Sequence, residues 1–64
     1  MSATSAELSS LAATVEELVR RLTPLTETYL SAQRDDLAAE LFEVERALTA
    51  AQRRLYRLVQ AAGA

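Results

Sequence analysis

Large apolar residues recur at Leu8, Leu11, Val15, Leu18, Leu22, Leu25 and Tyr29, in alternating steps of three and four. This is the heptad spacing that gathers side chains into one stripe along an α-helix. A second series, Leu37, Leu41, Val44, Leu48, Ala51, Leu55 and Leu58, alternates in the same way. The two series are out of phase. Extending the first forward puts Asp36 and Glu43 on the stripe, and extending the second backward puts Arg34 and Glu27 there. The pattern therefore predicts two helices, about 5–31 and about 35–62, with a turn at about 32–34 and flexible ends at 1–4 and 63–64.

Thr4-Ser5-Ala6-Glu7 has the form of a capping box at the start of the first helix, and Gly63 is expected to stop the second. If the chain reverses about Gln33, Leu8 comes level with Leu58, Leu11 with Leu55, Leu18 with Leu48, Leu22 with Val44, and Tyr29 with Leu37. Every such layer is apolar on both sides, as an antiparallel coiled-coil hairpin requires. Two rivals compete. Thr23-Pro24 reads as an N-cap followed by a first-turn proline, which would place the reversal earlier. The stretch YLSAQRDDL contains no Gly, Pro or Asn, so the chain could also run through it as one long helix pairing with a second copy.

Outside these series, Ala38, Phe42, Tyr56 and Val59 on the second helix and Ala12, Val19 and Leu30 on the first widen the apolar arc. A single hairpin would leave that strip wet, so the expected assembly is a homodimer forming a four-helix bundle. Its core would be the thirteen large residues Leu8, Leu11, Val15, Leu18, Leu22, Leu25, Tyr29, Leu37, Leu41, Val44, Leu48, Leu55 and Leu58. Phe42, Tyr56, Val59 and Val19 form the face expected to meet another protein.

Length strengthens the case for self-association. A chain of 64 residues buries only about 60% of the surface its unfolded form exposes. It contains neither cysteine nor histidine, which excludes disulfides and the usual zinc sites as a source of added stability. All seven basic residues are arginine, a usage expected of GC-rich coding and so of a bacterial source. The first ten residues, MSATSAELSS, lack the basic and apolar regions of a secretory signal, and no apolar run approaches a membrane span. A cytoplasmic protein is expected. A net charge of −2 disfavours nucleic acid as the main partner.

Acidic residues crowd the start of the second helix, at Asp35, Asp36, Glu40, Glu43 and Glu45, and Arg46, Arg53, Arg54 and Arg57 its end. That order suits the helix dipole. In a hairpin it would also bring Arg53 and Arg54 near Glu16 and Glu17, and Glu43 and Glu45 near Arg20 and Arg21.

No catalytic constellation is present: there is no imidazole or thiol, no glycine-rich phosphate loop, and no Glu-x-x-His to build a di-iron site. Neither a metal nor a cofactor is expected, and the chain reads as a non-enzyme. Glu27, Ser31 and Arg34 resemble the first three positions of the Glu-x3-Ser-x2-Arg-x3-Gln-x3-Asp pattern of cyclic-di-GMP-binding anti-sigma coiled coils. Ala38 and Phe42 stand where that pattern has Gln and Asp, so no family is assigned on it. The functional expectation is a small homo-oligomeric adaptor or regulatory subunit. The alternative is a ligand- or nucleic-acid-binding regulator using Arg34 or the group Arg53, Arg54 and Arg57.

Overall fold

A computed structural model describes residues 3–63 of the chain. Two α-helices, α1 (Ala3–Ser31) and α2 (Asp35–Gly63), pack antiparallel as a hairpin whose Cα atoms span 47 × 14 × 10 Å. Each helix has 29 residues, which at about 1.5 Å per residue accounts for nearly all of the long dimension.

The reversal is made by a Schellman motif. Arg34 N–H donates to Tyr29 O at 2.8 Å and Gln33 N–H to Leu30 O at 3.1 Å. Gln33 takes the left-handed position with φ 61°, a place usually held by glycine. The next helix starts at once, because the Arg34 carbonyl accepts from Ala38 N–H at 3.0 Å. The Arg34 guanidinium spans both carboxylate oxygens of Asp36 at 3.2 Å. With Asp35 and Asp36 in its first turn, α2 has negative charge at its positive dipole end.

Pro24 lies inside α1 and faces solvent. Its ring removes one backbone donor, and the helix continues past it, so neither the early reversal nor the single long helix is the observed form. Threonine side chains bond back along the same segment, Thr23 to the Val19 carbonyl at 3.3 Å and Thr28 to the Pro24 carbonyl at 2.9 Å. Helix α1 begins at Ala3, so Thr4 lies within the helix and does not act as its N-cap. Gly63 is likewise the last residue of α2 and not a stop beyond it. Of the ends expected to be flexible, Ala3, Thr4 and Gly63 are helical, while Met1, Ser2 and Ala64 lie outside the described residues.

The seam between the helices is rotated from the one the leucine spacing suggests. The sealed positions are Ser5, Ala12 and Thr26 on α1 and Ala38 on α2. Ala12 and Ala38 are 0% and 1% exposed, whereas Leu11, Leu18 and Leu25 are 46%, 42% and 51% exposed. Small residues at the line of contact let two helix backbones approach closely, with Leu8, Val15, Leu22, Leu41, Leu48 and Leu55 half-buried beside them. Ser5, Ala12, Val19 and Thr26 recur every seventh residue, and Ala38, Glu45, Gln52 and Val59 repeat this on α2.

Side-chain hydrogen bonds cross this seam. Tyr56 Oη donates to Glu16 Oε2 at 2.8 Å, and the buried Thr26 hydroxyl lies 3.3 Å from both Glu45 Oε1 and the Leu22 carbonyl. No buried side-chain polar atom lacks a partner among the described residues.

Candidate interaction surface

Rotation of the seam gives the hairpin two different broad sides. Leu11, Leu18 and Leu25 each stand one residue before a seam position, about 100° round the helix from it. In α2, Val44, Ala51 and Leu58 hold the equivalent places before Glu45, Gln52 and Val59. In an antiparallel pair these two columns fall on the same side. A groove lined by Leu18, Arg21, Leu22 and Leu25 from α1 and Leu48 from α2 shows the two stripes opening together. The two heptad series thus form one continuous leucine face, with half of its residues tucked beside the seam and half turned to solvent. Val44 and Leu58, at 44% and 53% exposure, extend it along α2.

On the opposite side, Val19 meets Phe42, Glu45, Arg46, Thr49, Ala50 and Arg53 in a mixed groove. The four residues expected to face a partner are therefore divided. Val19 and Val59 are half-buried at the seam, and Phe42 and Tyr56 flank it on the polar side. The Tyr56 hydroxyl donates to Glu16, and the loss of that hydrogen bond on ionisation raises its pKa above the ordinary phenol value, with desolvation and the Glu16 charge acting in the same direction.

Among the described residues, ion pairs form between near neighbours in sequence and not across the hairpin. Arg20 takes both Glu16 and Glu17 one turn earlier, and Arg46 takes Glu43 at 3.1 Å. The hydrogen bond from Arg20 holds the Glu17 carboxyl below the usual range. Arg34 does the same to Asp36, helped by the backbone N–H of Leu37. The expected partnerships of Arg53 and Arg54 with Glu16 and Glu17, and of Glu43 and Glu45 with Arg20 and Arg21, are not made. Glu16 and Glu17 are taken by Arg20, and Glu43 by Arg46, partners one turn away on the same helix.

The arginines considered as an anion patch are also split. Arg53 borders the Phe42 groove, whereas Arg54 and Arg57 flank Leu58 and Ala61 in a shallow depression. Glu27 and Ser31 lie on α1 and Arg34 caps α2, so the partial cyclic-di-GMP pattern crosses the turn. Among the described residues no group of three or more His, Cys, Asp or Glu could hold a metal ion, and no helix is long and apolar enough to cross a membrane.

Sequence reasoning took Ala12 and Ala38 as part of an outer strip. The available signal was their size: alanine and serine at heptad spacing beside a leucine column mark where helices can approach most closely. Comparison with protein-family models, with curated proteins and with solved structures gave no significant match.

Proposed function

We propose that this protein is a non-enzymatic interaction module, a small adaptor or regulatory subunit that self-associates through its leucine face. Two hairpins apposed on that face make a four-helix bundle. The observation that carries the reading is the exposure of Leu11, Leu18, Leu25, Val44 and Leu58 along one side of the hairpin. Monomeric soluble proteins rarely leave so long an apolar strip in water.

Surface area supports it. The chain exposes 4770 Å², against about 4,000 Å² for a compact protein of its mass. Self-association leaves the other side, with Phe42 and the Val19 groove, open to a different protein, and gives the assembly two copies of that docking side. Sedimentation of the chain against a Leu18→Asp, Leu58→Asp variant tests the reading. Loss of self-association in the variant is expected, and a wild-type chain that sediments as a folded monomer would remove it.

The alternative, an anion- or nucleic-acid-binding regulator, loses Arg34 to its bidentate bond with Asp36. It retains Arg53, Arg54 and Arg57, which make no ion pair among the described residues. Salt-dependent retardation of DNA would promote that reading, and no retardation at low salt would discard it.

A further inference from the structure

We propose that the hairpin is not stable alone: its two helices form and pair only as a second copy covers the leucine face, so that chain concentration decides whether the opposite, docking side exists. This rests on the self-association reading above and adds how that association is regulated.

The seam holds too little apolar surface to sustain a single hairpin. Among the described residues the sealed side chains are Ser5, Ala12, Thr26 and Ala38, and no leucine, valine or aromatic residue is among them. Half of the seam positions are polar, Ser5 and Thr26 on α1 and Glu45 and Gln52 on α2. The large side chains beside the seam reach only half burial, and Leu18 and Leu58 remain 42% and 53% exposed.

Surface area points the same way. An unfolded chain of 7.0 kDa exposes about 10,000 Å². The hairpin still exposes 4770 Å², so it buries just over half of that surface, less than the ~60% usual at this length. Each helix must order 29 residues, and in water most of a helix's stability comes from packing its apolar face. Here the outer half of that face points away from the neighbouring helix of the same chain. The packing that stabilises both helices is completed only in the assembly.

The docking side depends on the same event. Its groove takes Val19 from α1 and Phe42 and Arg53 from α2. The bonds of Tyr56 to Glu16 and of Thr26 to Glu45 likewise join one helix to the other. None of these arrangements exists in an unpaired helix. A chain too dilute to associate therefore lacks the groove as well as the covered leucine face. By reciprocity, a partner seated in the groove tightens self-association.

Thermal unfolding of the full chain, followed by circular dichroism over about a hundredfold range of concentration with sedimentation in parallel, tests the coupling. Helical signal and dimer mass should disappear together on dilution, and Tm should rise by about 5 °C for each tenfold increase in concentration. A Leu18→Gln, Leu58→Gln chain keeps good helix formers at two exposed positions. It should lose its helical signal together with the dimer at concentrations where wild type is folded, whereas a self-sufficient hairpin would remain helical as a monomer. A helical monomer, in that variant or in diluted wild type that dimerises at higher concentration, overturns the coupling and leaves self-association standing. A Tm unchanged by concentration in a chain that sediments as a dimer does the same. Wild type that is a helical monomer throughout overturns both.

Discussion

The hydroxyl of Tyr56 donates to the carboxylate of Glu16 at 2.8 Å, joining two helices across forty residues of sequence. Glu16 also receives Arg20 from its own helix, so the tyrosine is held against a carboxylate that is itself fixed. Ionising the phenol would forfeit this hydrogen bond and set a second negative charge beside the carboxylate, which is why the Tyr56 pKa is raised. A raised folded pKa contributes stability that is complete below the unfolded value and is lost as pH rises through the folded one. Wild type should therefore lose thermal stability above pH ~10. A Tyr56→Phe chain should start with a lower Tm and lose less of it on alkaline titration. Superimposable alkaline curves for the two proteins would show that this bond does not contribute.

Gln33 occupies the left-handed position of the turn, which costs a non-glycine residue about 1–2 kcal/mol. Gln33→Gly should raise stability by about 1 kcal/mol in urea unfolding. The sign is diagnostic. Were residues 29–37 a continuous helix paired with a second copy, the same change would destabilise by about 1 kcal/mol.

Ala12 and Ala38 are sealed at the line of helix contact. Ala12→Leu or Ala38→Leu should force the helices apart and cost about 1–3 kcal/mol, the usual range for overpacking. Ala13→Leu, one position away and exposed, should be close to neutral. Equal effects at Ala12 and Ala13 in thermal denaturation would place the seam elsewhere.

Asp36 is held below its ordinary value of 3.8, chiefly by Arg34 and then by the Leu37 backbone N–H. A depressed folded pKa contributes stability above the unfolded value, lost as pH falls through the folded one. Helical signal at the melting midpoint should accordingly fall as the solution is taken below pH ~4. Asp36→Asn should be less stable at neutral pH and should lose less on acidification. An acid limb unchanged by Asp36→Asn would contradict the role given to this cap.

Much of the architecture was legible in the heptad spacing. Two out-of-phase stripes imply a reversal, and Gln33 at their midpoint is the residue that adopts it. The weak loop signal of YLSAQRDDL reflects chemistry common to such turns. A Schellman closure needs one left-handed residue, and glutamine can take that position at a cost that pattern reading does not register. The rotation of the seam was not legible from large residues alone. Periodicity locates a stripe but does not say which edge of it meets the neighbouring helix, and here the small side chains of Ser5, Ala12 and Ala38 set that edge. For the same reason, spacing alone does not show that the leucines form a broad exposed face while Phe42 and Tyr56 lie on the opposite side. The charge pattern misled for a local reason: Arg20 reaches Glu16 and Glu17 one turn away before the arginines of α2 can.

Sedimentation equilibrium of the unmodified chain, over a range of concentrations at neutral pH, bears most directly on the central claim that the leucine face is covered by a second copy. The chain mass is 7.0 kDa, and the account predicts a species of twice that mass that dissociates when Leu18 and Leu58 are both replaced by aspartate. A folded 7.0 kDa monomer at every concentration, with helical signal intact, would contradict it.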